Sequence, residues 1–120
     1  MSVMSIDHFV LNVEEADIST AGSVFVVAPS NGKIVTVHSV IDGAIGTAPA
    51  VATIKINGTA VTGGSISVLH TSSAAGDVDV ATASGANHFN AGDYIEVANA
   101  GASTNTIKAN YTILCKLSTN

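Results

Sequence analysis

Apolar and polar residues alternate with a period of two along most of the chain, the pattern of strands with one face turned to a core. Phe9, Leu11 and Val13 share one face of the first such segment, and Val35 and Val37 share a face in GKIVTVHSVI, with Thr36 and His38 opposite. Ile54 and Ile56 alternate with Thr53, Lys55 and Asn57, and Ile66 and Val68 alternate with Ser65 and Ser67. Val78 and Val80 alternate with Asp77 and Asp79, and Ile95 and Val97 sit among Tyr94, Glu96 and Ala98. The longest run opposes Ile107, Ala109, Tyr111, Ile113, Cys115 and Leu117 to Lys108, Asn110, Thr112 and Lys116. VFVVAP (residues 24–29) is apolar throughout, which predicts a strand covered on both faces or lying at an interface.

Turn chemistry separates these segments. Ser30-Asn31-Gly32 and Asn57-Gly58 carry the Asn-Gly signal, favoured because both residues tolerate positive φ. Gly63-Gly64, Gly76-Asp77, Gly92-Asp93 and Gly101 punctuate the rest. No segment sustains a 3.6-residue period; residues 13–18 offer a single turn at most. The pattern predicts an all-β chain, a single antiparallel β-sandwich of about eight strands.

With 120 residues there is room for one domain. Residues 18–120 form the expected β-sandwich domain, and residues 1–17 an N-terminal arm or first strand. That first segment is rich in apolar side chains: Val3, Met4, Ile6, Phe9, Val10, Leu11 and Val13. Two uses compete for it. Residues 6–13 pair at a sheet edge and blunt it, or residues 1–9 order on docking to a partner, where flexible side chains such as Met1 and Met4 adapt to an irregular surface.

Composition narrows the function. Hydrophobic residues make up 47% and charged residues 11%, against roughly 25% charged in an ordinary domain, so small polar residues must cover much of the surface. The formal charge is -5 and arginine is absent, which disfavours nucleic acid and anionic membranes as partners. The single cysteine, Cys115, makes neither an internal disulfide nor a structural zinc site. The N-terminal sequence shows no secretory signal, and no apolar run is long enough to span a bilayer, so a soluble chain is expected.

Catalytic signatures are missing. Asn31-Gly32-Lys33 lacks the rest of a phosphate-binding loop, and no dinucleotide fingerprint, HExxH or GxSxG is present. His8, His38, His70 and His88 fall in separate segments, so a metal site would need spatial convergence, with solvent-facing or interface histidines the simpler reading. Asp77, Asp79 and Asp93 have calcium-type chemistry but not the EF-hand spacing; turn-stabilising bonds to backbone N–H groups account for them better. Cys115 lies on the apolar face of the last strand, the position of an inert buried thiol. Without a secretory signal, the acceptor-like Asn57-Gly58-Thr59 and Asn110-Tyr111-Thr112 are chance matches. With no tryptophan, two tyrosines and three phenylalanines, the chain has few groups on which to stack sugars.

A set of turns and strand starts resembles small phage head proteins, the capsid decoration or cement proteins. It runs through Ile18-Ser19-Thr20-Ala21-Gly22, Asn31-Gly32-Lys33-Ile34 and Val40-Ile41-Asp42-Gly43-Ala44-Ile45. It continues in Ile56-Asn57-Gly58-Thr59-Ala60-Val61-Thr62-Gly63-Gly64 and Ser73-Ala74-Ala75-Gly76-Asp77-Val78-Asp79. Its last motifs are Ala91-Gly92-Asp93-Tyr94-Ile95-Glu96-Val97 and Ala102-Ser103-Thr104-Asn105-Thr106, and the resembling stretch as a whole is residues 18–117. The resemblance implies a jelly-roll sandwich that associates as a homotrimer on the outer surface of a virion. Its partner would be the major capsid protein; no catalytic residue, cofactor or metal comes with it. Candidate interface residues are Met1, Val3, Met4, Ile6 and Phe9 in the N-terminal segment and Val24 and Val26 in VFVVAP. Two alternatives are a receptor- or glycan-binding head of a phage fibre or tail, and a jelly-roll metalloenzyme using His38, His70 or His88.

Overall fold

In a computed structural model that describes residues 7–118, the alternating segments become nine strands. They are β1 (His8–Glu15), β2 (Gly22–Val27), β3 (Gly32–Ile41), β4 (Ala50–Ile56), β5 (Thr59–Val68), β6 (Val78–Thr82), β7 (His88–Phe89), β8 (Tyr94–Asn99) and β9 (Ala109–Leu117). The described residues contain no helix. One sheet has the order β1-β9-β3-β6, with the two-residue β7 also paired to β3; the other has the order β2-β8-β4-β5. Every pairing is antiparallel. Successive strands β1 to β4 alternate between the sheets, and the late strands β8 and β9 slot between the early ones. This is the double Greek-key order of a jelly roll. β1 pairs along its whole length with β9, from His8 opposite Lys116 to Glu15 opposite Ala109. It is therefore an edge strand of the sandwich itself.

The core is a layer of β-branched side chains between the sheets. Ile34, Ile41 and Ile113 come from the first sheet, Ile54, Ile66 and Ile95 from the second, and Ile18 from the β1–β2 connection, all almost wholly buried. Branched side chains suit strands because their stiff χ1 packs well on a pleated surface.

Hydrogen bonds from small polar residues fix the connections. Asn57 and Gly58 have φ of 49° and 88°, the two positive values a tight β4–β5 hairpin turn requires. Asn31-Gly32 instead joins the two sheets, and its Asn31 side chain accepts a hydrogen bond from the Ala91 N–H. Two Ala-Gly-Asp turns are built alike. The Asp77 carboxylate accepts from the Ala74 N–H, and the Asp93 carboxylate accepts from the Asn90 N–H. In each turn the Gly and Asp backbone clasps the end of an earlier strand, Ile41 for Gly76-Asp77 and Ala28 for Gly92-Asp93. The β1–β2 connection is tied down from β8. The Asn99 side-chain amide donates to the Ile18 carbonyl at 2.7 Å and to the Thr20 carbonyl at 3.0 Å. Gly101, at φ 74°, passes so close to the Ala21 backbone that a Cβ there would collide with it.

Three details depart from the sequence pattern. Val35 does not share a face with Val37: a bulge between Ile34 and Thr36 inserts an extra residue, so Ile34 and Val37 both point inward. Val78 and Val80 do share a face, but it points outward. They stand opposite Val40 and His38 on the outer face of β3, while Ala81 is the buried residue of β6. Leu117 is exposed, because β9 runs past the core at its end.

Two substitutions test these connections. Gly101→Ala meets both the left-handed backbone and the Ala21 contact, and should lower unfolding free energy by roughly 3 kcal/mol or more in urea titration. Asn99→Ala removes the Thr20 carbonyl's side-chain donor and leaves the Ile18 carbonyl only the longer Ser103 hydroxyl bond at 3.4 Å, and should cost about 2 kcal/mol in the same assay.

Candidate interaction surfaces

The fixed parity of each strand decides which side chains are presented outward. In β2 it turns Val24 and Val26 toward the core, where both are half-buried against it, and turns Phe25 and Val27 out. A continuous apolar run carries no parity signal, and the register with β8 supplies it. Phe9 also faces inward and meets Phe89 edge to face, with ring centroids 6.1 Å apart. Phe9, Val24 and Val26 are thus packing residues in this chain. Met1, Val3, Met4 and Ile6 lie outside the described residues.

The outward positions form two apolar surfaces. The first is a corner of the second sheet. Phe25 and Val27 are 59% and 62% exposed, on edge strand β2. Val27 is paired with Tyr94 of β8, and the Phe25 and Tyr94 rings meet at 5.7 Å with planes 67° apart. The Asn57-Gly58 turn holds this corner: the Tyr94 N–H donates to the Asn57 side chain and the Asn57 N–H to the Tyr94 carbonyl. Beside it the Ser23 hydroxyl donates to the Glu96 carboxylate at 2.6 Å. Phe25 and Val27 on edge strand β2, with Tyr94 beside them on β8, form the kind of apolar patch, rimmed by polar groups, that marks contact sites.

The second surface is the outer face of the first sheet. Val78 and Val80 of β6 lie beside Val40 and His38 of β3, then Asn110 and Thr112 of β9. A shallow hollow of about 200 Å³ is lined by His38, Val40, Val78 and Thr112. His38 is engaged locally, its Nε2 lying 3.1 Å from the Thr36 hydroxyl. Val10 and Leu114 continue the apolar character toward β1, where they are directly paired.

The candidate chemical residues do not converge. Among the described residues no three of His, Cys, Asp and Glu come together as a possible metal site. His8 pairs with Asp7 at 2.7 Å, and the Asp77 and Asp93 carboxylates are engaged by turn N–H groups. The Asn90 N–H bond, followed by the Asn57 contact, holds the Asp93 carboxyl below the ordinary aspartate range. Hydrogen bonds from Ser19 and Thr20 do the same for Asp17. Burial pushes the Cys115 thiol up to about 12, and burial with the nearby Glu15 charge pushes the Tyr111 phenol up to about 12. A thiol so placed is protonated at neutral pH and a poor nucleophile.

No family model matches the chain, and no curated protein matches it. Solved structures do share its fold. A chain in the acidic stable capsid structure of Helicobacter pylori bacteriophage KHP30 superposes with a TM-score of 0.60 at 15% identity, covering 97% of this chain and 92% of that one. A chain in the capsid of Ralstonia phage GP4 gives a TM-score of 0.55 at 17% identity, covering 99% and 91%. The catalytic domain of a GH87 α-1,3-glucanase gives 0.54 at 10% identity, but the match covers 97% of this chain and only 29% of the enzyme. Identities this low establish the shared sandwich fold.

Burial of the Tyr111 phenol and the Cys115 thiol makes folding less favourable at alkaline pH. Their folded pKa values lie above the unfolded ones, so both favour folding below about pH 9 and that contribution is lost as pH rises toward 12. Urea midpoints should therefore fall between pH 9 and 12, and Tyr111→Phe should flatten the upper part of the decline. In the folded protein at pH 8, Cys115 should resist a thiol reagent that labels it at once in denaturant.

Proposed function

We propose that the chain is a structural virion protein that binds the outer surface of a phage capsid's major capsid protein and stabilises the shell, as a homotrimer. The observation that carries this reading is the extent of the structural likeness. The whole chain corresponds to more than nine-tenths of a chain in the KHP30 and GP4 capsids, whereas it corresponds to a fraction of the glucanase. Whole-chain correspondence is what a stand-alone capsid component requires. The resemblance of residues 18–117 to decoration proteins points the same way. So does a surface of small polar residues, which costs little side-chain entropy to bury in a symmetric assembly.

On this reading the Phe25–Val27–Tyr94 corner supplies contact between copies or with the shell. Residues 1–5 supply a docking segment ahead of β1. A second reading, a glycan- or receptor-binding head, draws on the glucanase likeness and on the exposed Phe25 and Tyr94 rings. A glycan array with saturable hits would favour it.

The test is binding of purified protein to capsids that lack it. Phe25→Lys and Val27→Lys change exposed edge-strand positions, set no like charges opposite each other, and should cost no more than about 1 kcal/mol for the lost Phe25–Tyr94 contact. They should weaken trimer formation or capsid binding at least tenfold, as read by light scattering and cosedimentation. Deleting residues 1–5 should leave folding intact and weaken capsid binding. If the wild-type protein does not cosediment with such capsids, the reading is wrong.

A further inference from the structure

The basic residues of this acidic chain are not scattered. The chain has four lysines and four histidines and no arginine, yet two of each stand in a single row. The ladder of the first sheet sets His8 of β1 opposite Lys116 of β9, Lys116 opposite Lys33 of β3, and Lys33 opposite His88 of β7. Beside the row is an open hollow of about 280 Å³, lined by Lys33, His88, Lys116, Leu117 and Ser118. Of the ion pairs among the described residues, one joins His8 to Asp7 and the other joins Lys108 to Glu14, so Lys33 and Lys116 have none.

Like charges directly opposite on neighbouring strands destabilise a sheet. Placing two unpaired lysines in that relation is a cost that folding does not explain, and it is relieved when an anion spans them. Neighbouring strands lie about 4.8 Å apart, so a row across four strands extends about 14 Å. An extended peptide lying across the row presents same-side residues about 6.8 Å apart. Carboxylates at alternate positions of such a segment therefore reach Lys33 and Lys116; one end reaches the His88 imidazole, and the other passes His8, which Asp7 already holds. Nucleic acid fits less well. Its affinity grows with the number of phosphates neutralised, and a chain of net charge -5 with two unpaired lysines neutralises few.

We infer that the row His8–Lys116–Lys33–His88, with its adjoining hollow, is a docking surface for an extended acidic segment of a partner protein. This site lies on the first sheet, apart from the aromatic corner of the second, and does not depend on the virion reading.

The probe is an acetylated, amidated Glu-Thr-Glu-Thr-Glu-Thr peptide, titrated into isotope-labelled full-length protein and followed by backbone NMR. Saturable shifts should centre on Lys33, His88, Lys116 and Leu117, with none from the peptide in which glutamine replaces glutamate. The double variant Lys33→Gln/Lys116→Gln should bind at least tenfold more weakly and melt no lower than wild type, since it removes a repulsion. The control Lys55→Gln/Lys108→Gln should bind within twofold of wild type. The inference is overturned if shifts follow all four lysines alike, or if Lys33→Gln/Lys116→Gln binds unchanged. It is also overturned if that variant melts lower, which would make the lysines structural, or if an oligothymidylate of equal charge binds more tightly than the peptide.

Discussion

The sandwich depends on one constraint: each strand sends every second side chain into a shared apolar layer. Seven isoleucines, Ile18, Ile34, Ile41, Ile54, Ile66, Ile95 and Ile113, occupy that layer from both sheets and from one connection. Burying a side chain of this size contributes about 1.5 to 3 kcal/mol, so the layer dictates register wherever it is continuous. Whatever has the opposite parity is then presented to the outside. The positions of Phe25, Val27, Val78, Val80, Lys33 and Lys116 follow from the core, and the bulge at Val35 is the place in β3 where the parity is reset.

The same constraint explains why the chain is rich in Ser, Thr, Asn and Gly. Crossing between sheets leaves backbone groups at the ends of strands that must find partners. Asn99, Asn31, Ser73, Asp77 and Asp93 provide them. The Ser73 hydroxyl, for example, accepts from the Ile45 N–H and donates to a nearby carbonyl, joining the β3–β4 loop to the β5–β6 connection. Short polar side chains do this work without long charged groups, which fits the low charged fraction.

Much of the fold was legible in the sequence because period-two alternation and turn residues are local signals. The antiparallel sandwich, the Asn57-Gly58 turn, the Gly-Asp turns and the buried place of Cys115 all follow from them. Parity in apolar stretches was not legible. VFVVAP has no polar residue to mark its outer face, so Val24 and Val26 were natural interface candidates, while register with β8 exposes Phe25 and Val27 instead. In β6 the valines would be expected inside. Its pairing with β3 turns them out, because Ala81 fits the inward position. The basic row was invisible for another reason: its members come from four segments, and only the ladder aligns them.

The proposed structural place in a virion draws on the likeness to chains of phage capsids over nearly their full length and on the exposed aromatic corner. On that proposal the decisive experiment is quantitative mass spectrometry of purified particles of a phage whose genome carries this sequence. A capsid component of this kind should be present in a fixed ratio to the major capsid protein, in numbers comparable to the shell subunits. Particles from which it is absent, or that carry it in only a few copies at a tail or fibre, would contradict it.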